Sequence, residues 1–135
     1  MSFRISFVTA AVLACSLPAA ATELVVIVNP QNPATRMFNS QASQFFLGKS
    51  TMFTPVEHSE SSPIRAEFYR KVLEKDASQV KALWSKLVLT GKAAAPREYA
   101  SSAEVKKAVA ASPNAIGYIE KAAVDETVKV VLTVQ

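Results

Sequence analysis

Residues 24–28, Leu-Val-Val-Ile-Val, decide the fold class of this chain. The run is apolar at every position, so a strand built from it has no polar side-chain face to present to water. Strands of this kind lie in sheets that helices cover on both faces, which is the usual state of parallel sheets. We therefore expect a central, doubly covered strand here, which ends where Asn29 and Pro30 follow.

The sequence before this strand has the pattern of a cleavable secretory signal peptide. Residues 1–4 form a short basic start, residues 5–17 are mostly apolar, and residues 19–21 are three alanines that give a small-x-small cleavage pattern. The apolar run is shorter than the roughly 20 residues that a membrane-spanning helix needs. We expect a signal peptide at 1–21 and one mature domain at 22–135, secreted through the inner membrane. The alternative is a lipobox at 12–15, with Cys15 as the lipidation site.

Composition limits the kinds of partner for the mature domain. Cys15 is the only cysteine of the chain, so cleavage after Ala21 leaves no disulfide and no thiol chemistry. The formal net charge is +4, and loss of Arg4 with the leader makes the charge of the mature domain only mildly positive. Because no long basic run is present, the sequence predicts no nucleic-acid partner and no binding to an anionic membrane surface.

Downstream of the first strand, the pattern alternates between helices and strands. A short amphipathic segment ends at Gly48, a strand is expected within 51–58, and a loop is expected over 92–98. Capping signals at Ser62, Asp76 and Ser101 each precede an apolar stripe at helical spacing. Further strands are expected at 116–119 and 128–134. This alternation predicts an α/β fold in one domain, with a mixed, mainly parallel sheet flanked by helices.

The most informative segment for function is 59–69, Ser-Glu-Ser-Ser-Pro-Ile-Arg-Ala-Glu-Phe-Tyr. Ser62 is expected to cap a helix whose first position is Pro63, and a helix start presents free N–H groups that favour anions. Arg65 in the first turn is unfavourable for the helix dipole but suited to an oxyanion. Glu60 can accept a proton from a partly protonated anion and so select for it. The alternatives are a simple cap, a solvated arginine and an exposed turn glutamate.

No enzyme motif accompanies this segment. The chain has one histidine, His58, and three glycines, and it contains neither G-x-x-x-x-G-K-[ST] nor G-x-G-x-x-G. The acidic residues are scattered over expected solvated helix faces. The sequence therefore predicts a protein that is not an enzyme and that carries no cofactor or metal.

Four segments in order resemble the phosphate-binding periplasmic receptors of ABC transporters. They are Val-Asn-Pro-x-Asn-Pro at 28–33, Phe-Phe-Leu-Gly-Lys at 45–49, the serine-rich segment at 61–69, and Ala-Ile-Gly-Tyr at 115–118. The resemblance implies a type 2 periplasmic-binding-protein-like fold, a periplasmic location and an oxyanion ligand held between two lobes.

The resemblance also assigns ligand-binding residues. Ser61 and Ser62 fall at the hydroxyl-bearing turn, with Glu60 near the family's acidic position. Two departures are visible: the turn is Ser-Ser-Pro where the family has Ser-Gly-Thr, and the family's preceding arginine falls nearer His58. The sequence leaves open whether Arg65 replaces that arginine.

The mature chain is about half the length of a full receptor, so the resemblance implies a single lobe with one wall of the ligand cleft. The leading hypothesis is a solute-binding-type protein for phosphate or a related oxyanion. Binding by the monomer is expected to be weak unless a second copy, a membrane transporter or a porin supplies the other wall. The alternative hypothesis is an envelope interaction module that kept the fold but lost ligand binding.

Overall fold

The computed structural model describes residues 23–135. The expected signal peptide at 1–21 and Cys15 lie outside these residues. Five strands and four α-helices follow one another in the described part: β1 Leu24–Val28, α1 Asn39–Phe46, β2 Thr54–His58, α2 Pro63–Phe68, α3 Ala77–Leu89, β3 Arg97–Tyr99, α4 Ser102–Ala111, β4 Ala115–Glu120 and β5 Lys129–Thr133. A π-helical turn, Tyr69–Leu73, continues α2, and a 3₁₀ turn, Lys121–Ala123, follows β4. Among the helices of the described part, none has the length and apolar character to cross a membrane.

The five strands form one mixed sheet in the order β3-β2-β4-β1-β5. β2 pairs in parallel with β3 and β4, whereas β1 pairs antiparallel with both β4 and β5. Four strands thus run in one direction and β1 runs against them. The predicted α/β class with a mixed, mainly parallel sheet is confirmed.

The 24–28 run lies in an antiparallel part of the sheet. Every residue of β1 is buried, as the apolar run requires, but both of its neighbours are antiparallel to it. Continuous apolar character reports burial on two faces and carries no information on strand direction. Direction depends on partners about a hundred residues away in the sequence.

Helices cover both faces of the sheet, as the 24–28 run predicted. On one face, Val26 packs in a core with α1, α2, the π-helical turn and part of α3. On the other face, Val25 and Ile27 pack against α4. A β-carbon on Gly117 of β4 would lie 2.9 Å from Cγ1 of Val105, so glycine lets α4 approach the sheet closely.

Several boundaries differ from the sequence expectations. The predicted loop at 92–98 contains the start of β3, a three-residue edge strand that follows Pro96. Its Arg-Glu-Tyr sequence has no apolar run, and it is a strand because β2 pairs with it. Pro55 lies in β2 opposite Ile116 of β4, one position before the pairing with β3 begins. Its missing N–H therefore does not interrupt the β2–β3 ladder.

An aromatic cluster joins the sheet to α1 and α2. The Tyr118 ring stacks on Phe68, with centroids 3.9 Å apart and an interplanar angle of 6°, and Phe46 meets both rings edge-on. The Tyr118 hydroxyl donates a 2.6 Å hydrogen bond to Oε2 of Glu57 on β2. The core therefore fixes the position of a buried carboxyl next to the segment that the sequence singled out.

Candidate functional site

The segment between β2 and α2 forms a tight turn at the carboxyl end of the sheet. The Ser62 N–H donates to the Ser59 carbonyl at 2.9 Å, and the Ser59 N–H donates to the Tyr99 carbonyl at 2.9 Å. Ser62 occupies the N-cap position of α2 with extended backbone angles, and Pro63 follows at the first helical position. The Ser62 hydroxyl makes no capping hydrogen bond. It is therefore available to another partner.

Arg65 turns away from the serines and into the protein. Its Nη1 donates to the His58 carbonyl at 2.8 Å and to Oε1 of Glu98 at 2.5 Å. Its Nε lies 3.9 Å from Oε2 of Glu57, and its Cζ lies 5.3 Å from the centroid of the Tyr69 ring. Burial lowers the pKa of the guanidinium, but the Glu98 hydrogen bond and the nearby acidic groups raise it more, so its pKa is above the ordinary value. Arg65 is thus a fixed cation beneath the turn.

Two hollows lie on either side of the turn, and the predicted site residues do not all line the same one. The first, here called the serine hollow, has a volume of about 390 Å³ and includes Ser62 in its lining. The second, here called the carboxyl cavity, has a volume of about 440 Å³ and includes Glu60 and Arg65. Ser61 is exposed on the turn, where its hydroxyl lies 3.5 Å from that of Ser59. The four predicted residues therefore do not face one common hollow.

The serine hollow lies between the starts of two helices. Ser62 contributes from α2, and Ser101, Ser102 and Ala103 contribute from α4. The Ser101 hydroxyl caps α4 by accepting the Glu104 N–H at 3.2 Å. The earlier N–H groups of α4 have no intrahelical acceptor and carry the positive end of the helix dipole. The arrangement can hold an oxyanion with hydroxyl and main-chain donors.

Two ionisable residues also line the serine hollow. His58 is buried, and its Nε2 lies 2.7 Å from the Tyr118 carbonyl, so this nitrogen carries the proton. Burial lowers the pKa of His58, which favours the neutral imidazole. Glu120 lines the same hollow and brings a carboxylate towards any bound anion. That carboxylate favours an anion that can donate a proton.

Sequence reasoning assigned Ser101 only a capping role and did not place Ser102 in the site. The feature that places both serines at the site is the order of the strands in the sheet. β2 ends at His58 and β3 ends at Tyr99, and these two strands are adjacent and parallel. The helices that follow them therefore begin at the same edge of the sheet, where ligands of open α/β sheets bind. Because the sequence did not predict β3, this juxtaposition was not visible.

The carboxyl cavity contains a buried, incompletely paired acid. Glu57 is 2% exposed, and its Oε1 has no hydrogen-bond partner, nor does Nε of Arg65. Burial raises the pKa of Glu57 to about 7, against the opposing effects of the Tyr118 hydrogen bond and the Arg65 charge. Burial also raises the pKa of Tyr69, which lines the same cavity, and the Glu57 charge adds to this effect.

Within residues 23–135, no group of three or more histidine, cysteine, aspartate or glutamate side chains is arranged to hold a metal ion.

Comparison with known proteins places this arrangement in a known fold. No family model and no curated protein matches the sequence. Three solved structures match 81% of the chain. One, from Clostridium perfringens, is assigned as a phosphate ABC transporter substrate-binding protein with bound phosphate, and it has 22% identity and a TM-score of 0.67. The other two are an ABC-type phosphate transport receptor from Vibrio cholerae, with 21% identity and a TM-score of 0.65, and PstS from Borrelia burgdorferi, with 14% and 0.62.

These likenesses establish the fold. The matched region covers 44%, 45% and 46% of the three solved chains, so this chain spans less than half of their length. The resemblance predicted from the four sequence segments is confirmed at the level of fold, as is the prediction of a single-lobe domain.

Proposed function

We propose that this chain, which has the fold of one lobe of the phosphate ABC transporter substrate-binding proteins, is a solute-binding-type protein for phosphate or a related oxyanion. The anion would occupy the serine hollow. The observation that carries the proposal is the convergence of Ser62 and the start of α4 on one hollow at the carboxyl edge of two parallel strands. The solved neighbours support the solute-binding hypothesis over the interaction-module alternative.

In this proposal the ligand donors come from both helix starts. The unpaired Ser62 hydroxyl and the Ser102 hydroxyl donate to the anion, with the N–H groups of Ser102 and Ala103. Ser61, one residue before Ser62, is exposed on the turn and is a further hydroxyl that could donate to the anion. Hydrogen bonds to an ionised acceptor are roughly twice as strong as those between neutral groups, so a few such donors suffice for a specific site.

Arg65 and Glu60 have supporting parts in the proposal. Arg65 binds the His58 carbonyl at the end of β2 and so fixes the start of the turn. Glu60 lies 3.8 Å from Lys81 of α3 and faces the carboxyl cavity. The proton-accepting role that the sequence suggested for Glu60 passes to Glu120, which lines the serine hollow. Glu120 would favour hydrogen phosphate over sulfate, which has no proton to donate at neutral pH.

The proposed site has one wall. An anion on an open surface keeps much of its hydration, so we expect a dissociation constant in the millimolar range for the monomer. A second copy, a membrane transporter or a porin would supply the opposing wall. The proposed location is the periplasm, after removal of residues 1–21.

The N–H of Ser102 can be removed with little disturbance of the helix. Ser102 is the first residue of α4, the position where proline is best tolerated, and Ser101 before it is already extended. We expect Ser102→Pro to weaken phosphate binding about ten-fold, because it removes one charge-assisted N–H and one hydroxyl. Calorimetric titration of residues 22–135 with phosphate and with sulfate measures this change.

Ala77→Pro is the matched control. Ala77 is the first residue of α3, and Asp76 before it is also extended. This variant should bind phosphate as the unmodified chain does. The proposal is wrong if the unmodified chain shows no phosphate binding at about 10 mM, or if Ser102→Pro binds phosphate as tightly as Ala77→Pro.

A further inference from the structure

We propose that the carboxyl cavity binds a small organic cation, an ammonium group on an apolar body, and that Glu57 accepts its N–H groups. This site is separate from the serine hollow and does not depend on the proposed oxyanion site. It uses the side of the turn that Arg65 and Glu60 face.

The first argument is an acceptor without a donor. Glu57 is 2% exposed and lines the cavity. Its Oε2 accepts from the Tyr118 hydroxyl at 2.6 Å, whereas its Oε1 has no partner. Leaving a buried acceptor unpaired is unfavourable, and native structures keep few of them. A ligand N–H at Oε1 would satisfy this atom.

The second argument is the charge balance of the cavity. Three carboxyl groups, those of Glu57, Glu60 and Glu98, and two cations, Arg65 and Lys81, line it. Each cation already faces a carboxylate. Nη1 of Arg65 lies 2.5 Å from Oε1 of Glu98, and Nζ of Lys81 lies 3.8 Å from Oε1 of Glu60. One carboxyl group remains in excess, so a cation complements the cavity and an anion is repelled by it.

The third argument is the apolar wall. Residues of α3 and of the segment before β3 supply it: Val80, Trp84, Val88, Leu89, Ala95 and Pro96. Trp84 is held by a 2.9 Å hydrogen bond from its Nε1 to the Phe46 carbonyl, and Leu89 is 85% exposed. The volume of about 440 Å³ falls within the range of small-molecule sites. The chemistry therefore fits a ring or a short alkyl chain that carries an ammonium group.

A set of three probes tests the charge preference. 2-Phenylethylamine, 2-phenylethanol and phenylacetate share a phenyl ring and are respectively cationic, neutral and anionic at pH 8. Trp84 is the only tryptophan of the chain, so its fluorescence reports binding directly. We expect the amine to bind with a dissociation constant of about 1 mM, the alcohol about ten-fold more weakly, and phenylacetate more weakly still.

Two variants locate the binding. Glu57→Gln should lower the affinity for the amine about ten-fold and bring it close to that of the alcohol. The control is Glu67→Gln, since Glu67 pairs with Lys71 outside the cavity and its loss should leave all three affinities unchanged. Ser85→Phe narrows the cavity from α3 without altering Glu57, and it should weaken both the amine and the alcohol.

The outcomes that overturn the proposal are specific. They are equal binding of amine and alcohol by the unmodified chain, unchanged amine binding in a folded Glu57→Gln variant, and no binding of any probe at about 10 mM. Should Glu57→Gln not fold, the probe series on the unmodified chain and on Ser85→Phe decides the question. Amine binding that Ser85→Phe leaves intact then also counts against it.

Discussion

The serine hollow and the carboxyl cavity are built from the same short segment and have opposite character. Ser62 faces a hollow lined by hydroxyls and a helix start, whereas Arg65, three residues later, faces a cavity with three carboxyl groups. The difference arises because Ser62 is the extended N-cap residue of α2, whereas the Arg65 side chain is held on the other side of the turn by the His58 carbonyl and by Glu98. Ser62 and Arg65 thus contribute to different hollows, and the positive charge of Arg65 neutralises acids and is not available to an anion.

The largest expected effect is from removal of the cation of the carboxyl cavity. Arg65→Ala leaves the buried Glu57 without its nearest charge partner and frees Glu98. We expect it to lower the free energy of unfolding by about 3 kcal/mol at pH 8, because an unpaired buried charge is costly. At pH 5 the loss should be smaller, since Glu57, whose pKa is about 7, is then protonated.

Urea denaturation at both pH values measures this difference. The control is Arg70→Ala, because Arg70 is exposed on the next turn and its removal should change stability by less than about 0.5 kcal/mol. Equal losses for Arg65→Ala at pH 5 and pH 8 would contradict the buried-charge account.

The next effect concerns Glu57 itself. Its pKa in the folded chain is raised by burial from 4.5 to about 7, so the folded state holds the proton more tightly than the unfolded state. Its contribution to stability is therefore complete below pH 4.5 and is lost as the pH rises through 7. Glu57→Gln should remove this dependence, which amounts to about 3 kcal/mol for a shift of this size.

The measurement is the difference in free energy of unfolding between Glu57→Gln and the unmodified chain from pH 4.5 to pH 8. Taking a difference cancels the opposite contribution of His58, whose pKa is lowered by burial. The variant should gain stability relative to the unmodified chain as the pH rises. A difference that is flat across this range would show that Glu57 titrates normally.

The smallest effect compares the two N-cap serines at the serine hollow. Ser101 accepts the Glu104 N–H, whereas the Ser62 hydroxyl makes no capping bond. We expect Ser101→Ala to lower the free energy of unfolding by about 1 kcal/mol. Ser62→Ala should lower it by only a few tenths of that amount. Chemical denaturation of both variants in the same buffer without phosphate tests this. Equal costs would mean that Ser62 also caps its helix, and would remove the argument that its hydroxyl is free for a ligand.

Much of the fold was predictable because its signals are local. The apolar run at 24–28 predicted a doubly covered strand, and the capping box that begins at Asp76 predicted α3, whose cap is present with Oδ1 accepting the Gln79 N–H at 2.9 Å. The candidate site was less predictable. The sequence identified the 59–69 turn as the segment most informative for function. It did not show that Glu98 would hold Arg65, because Glu98 lies in β3, a strand that no local sequence pattern predicted.

Local sequence patterns predicted most of the helices and strands, their apolar faces, and the resemblance to the phosphate receptors, because side-chain periodicity, capping residues and short motifs act over a few residues. Three features became visible only in the folded chain: β1 runs antiparallel to its neighbours, β3 joins the edge of the sheet, and α2 and α4 begin side by side. These features depend on backbone pairing between segments far apart in the chain. The pairing of β2 with β3 brings Glu98 to one side of the turn and the start of α4 to the other, which gives the two hollows their opposite chemistry.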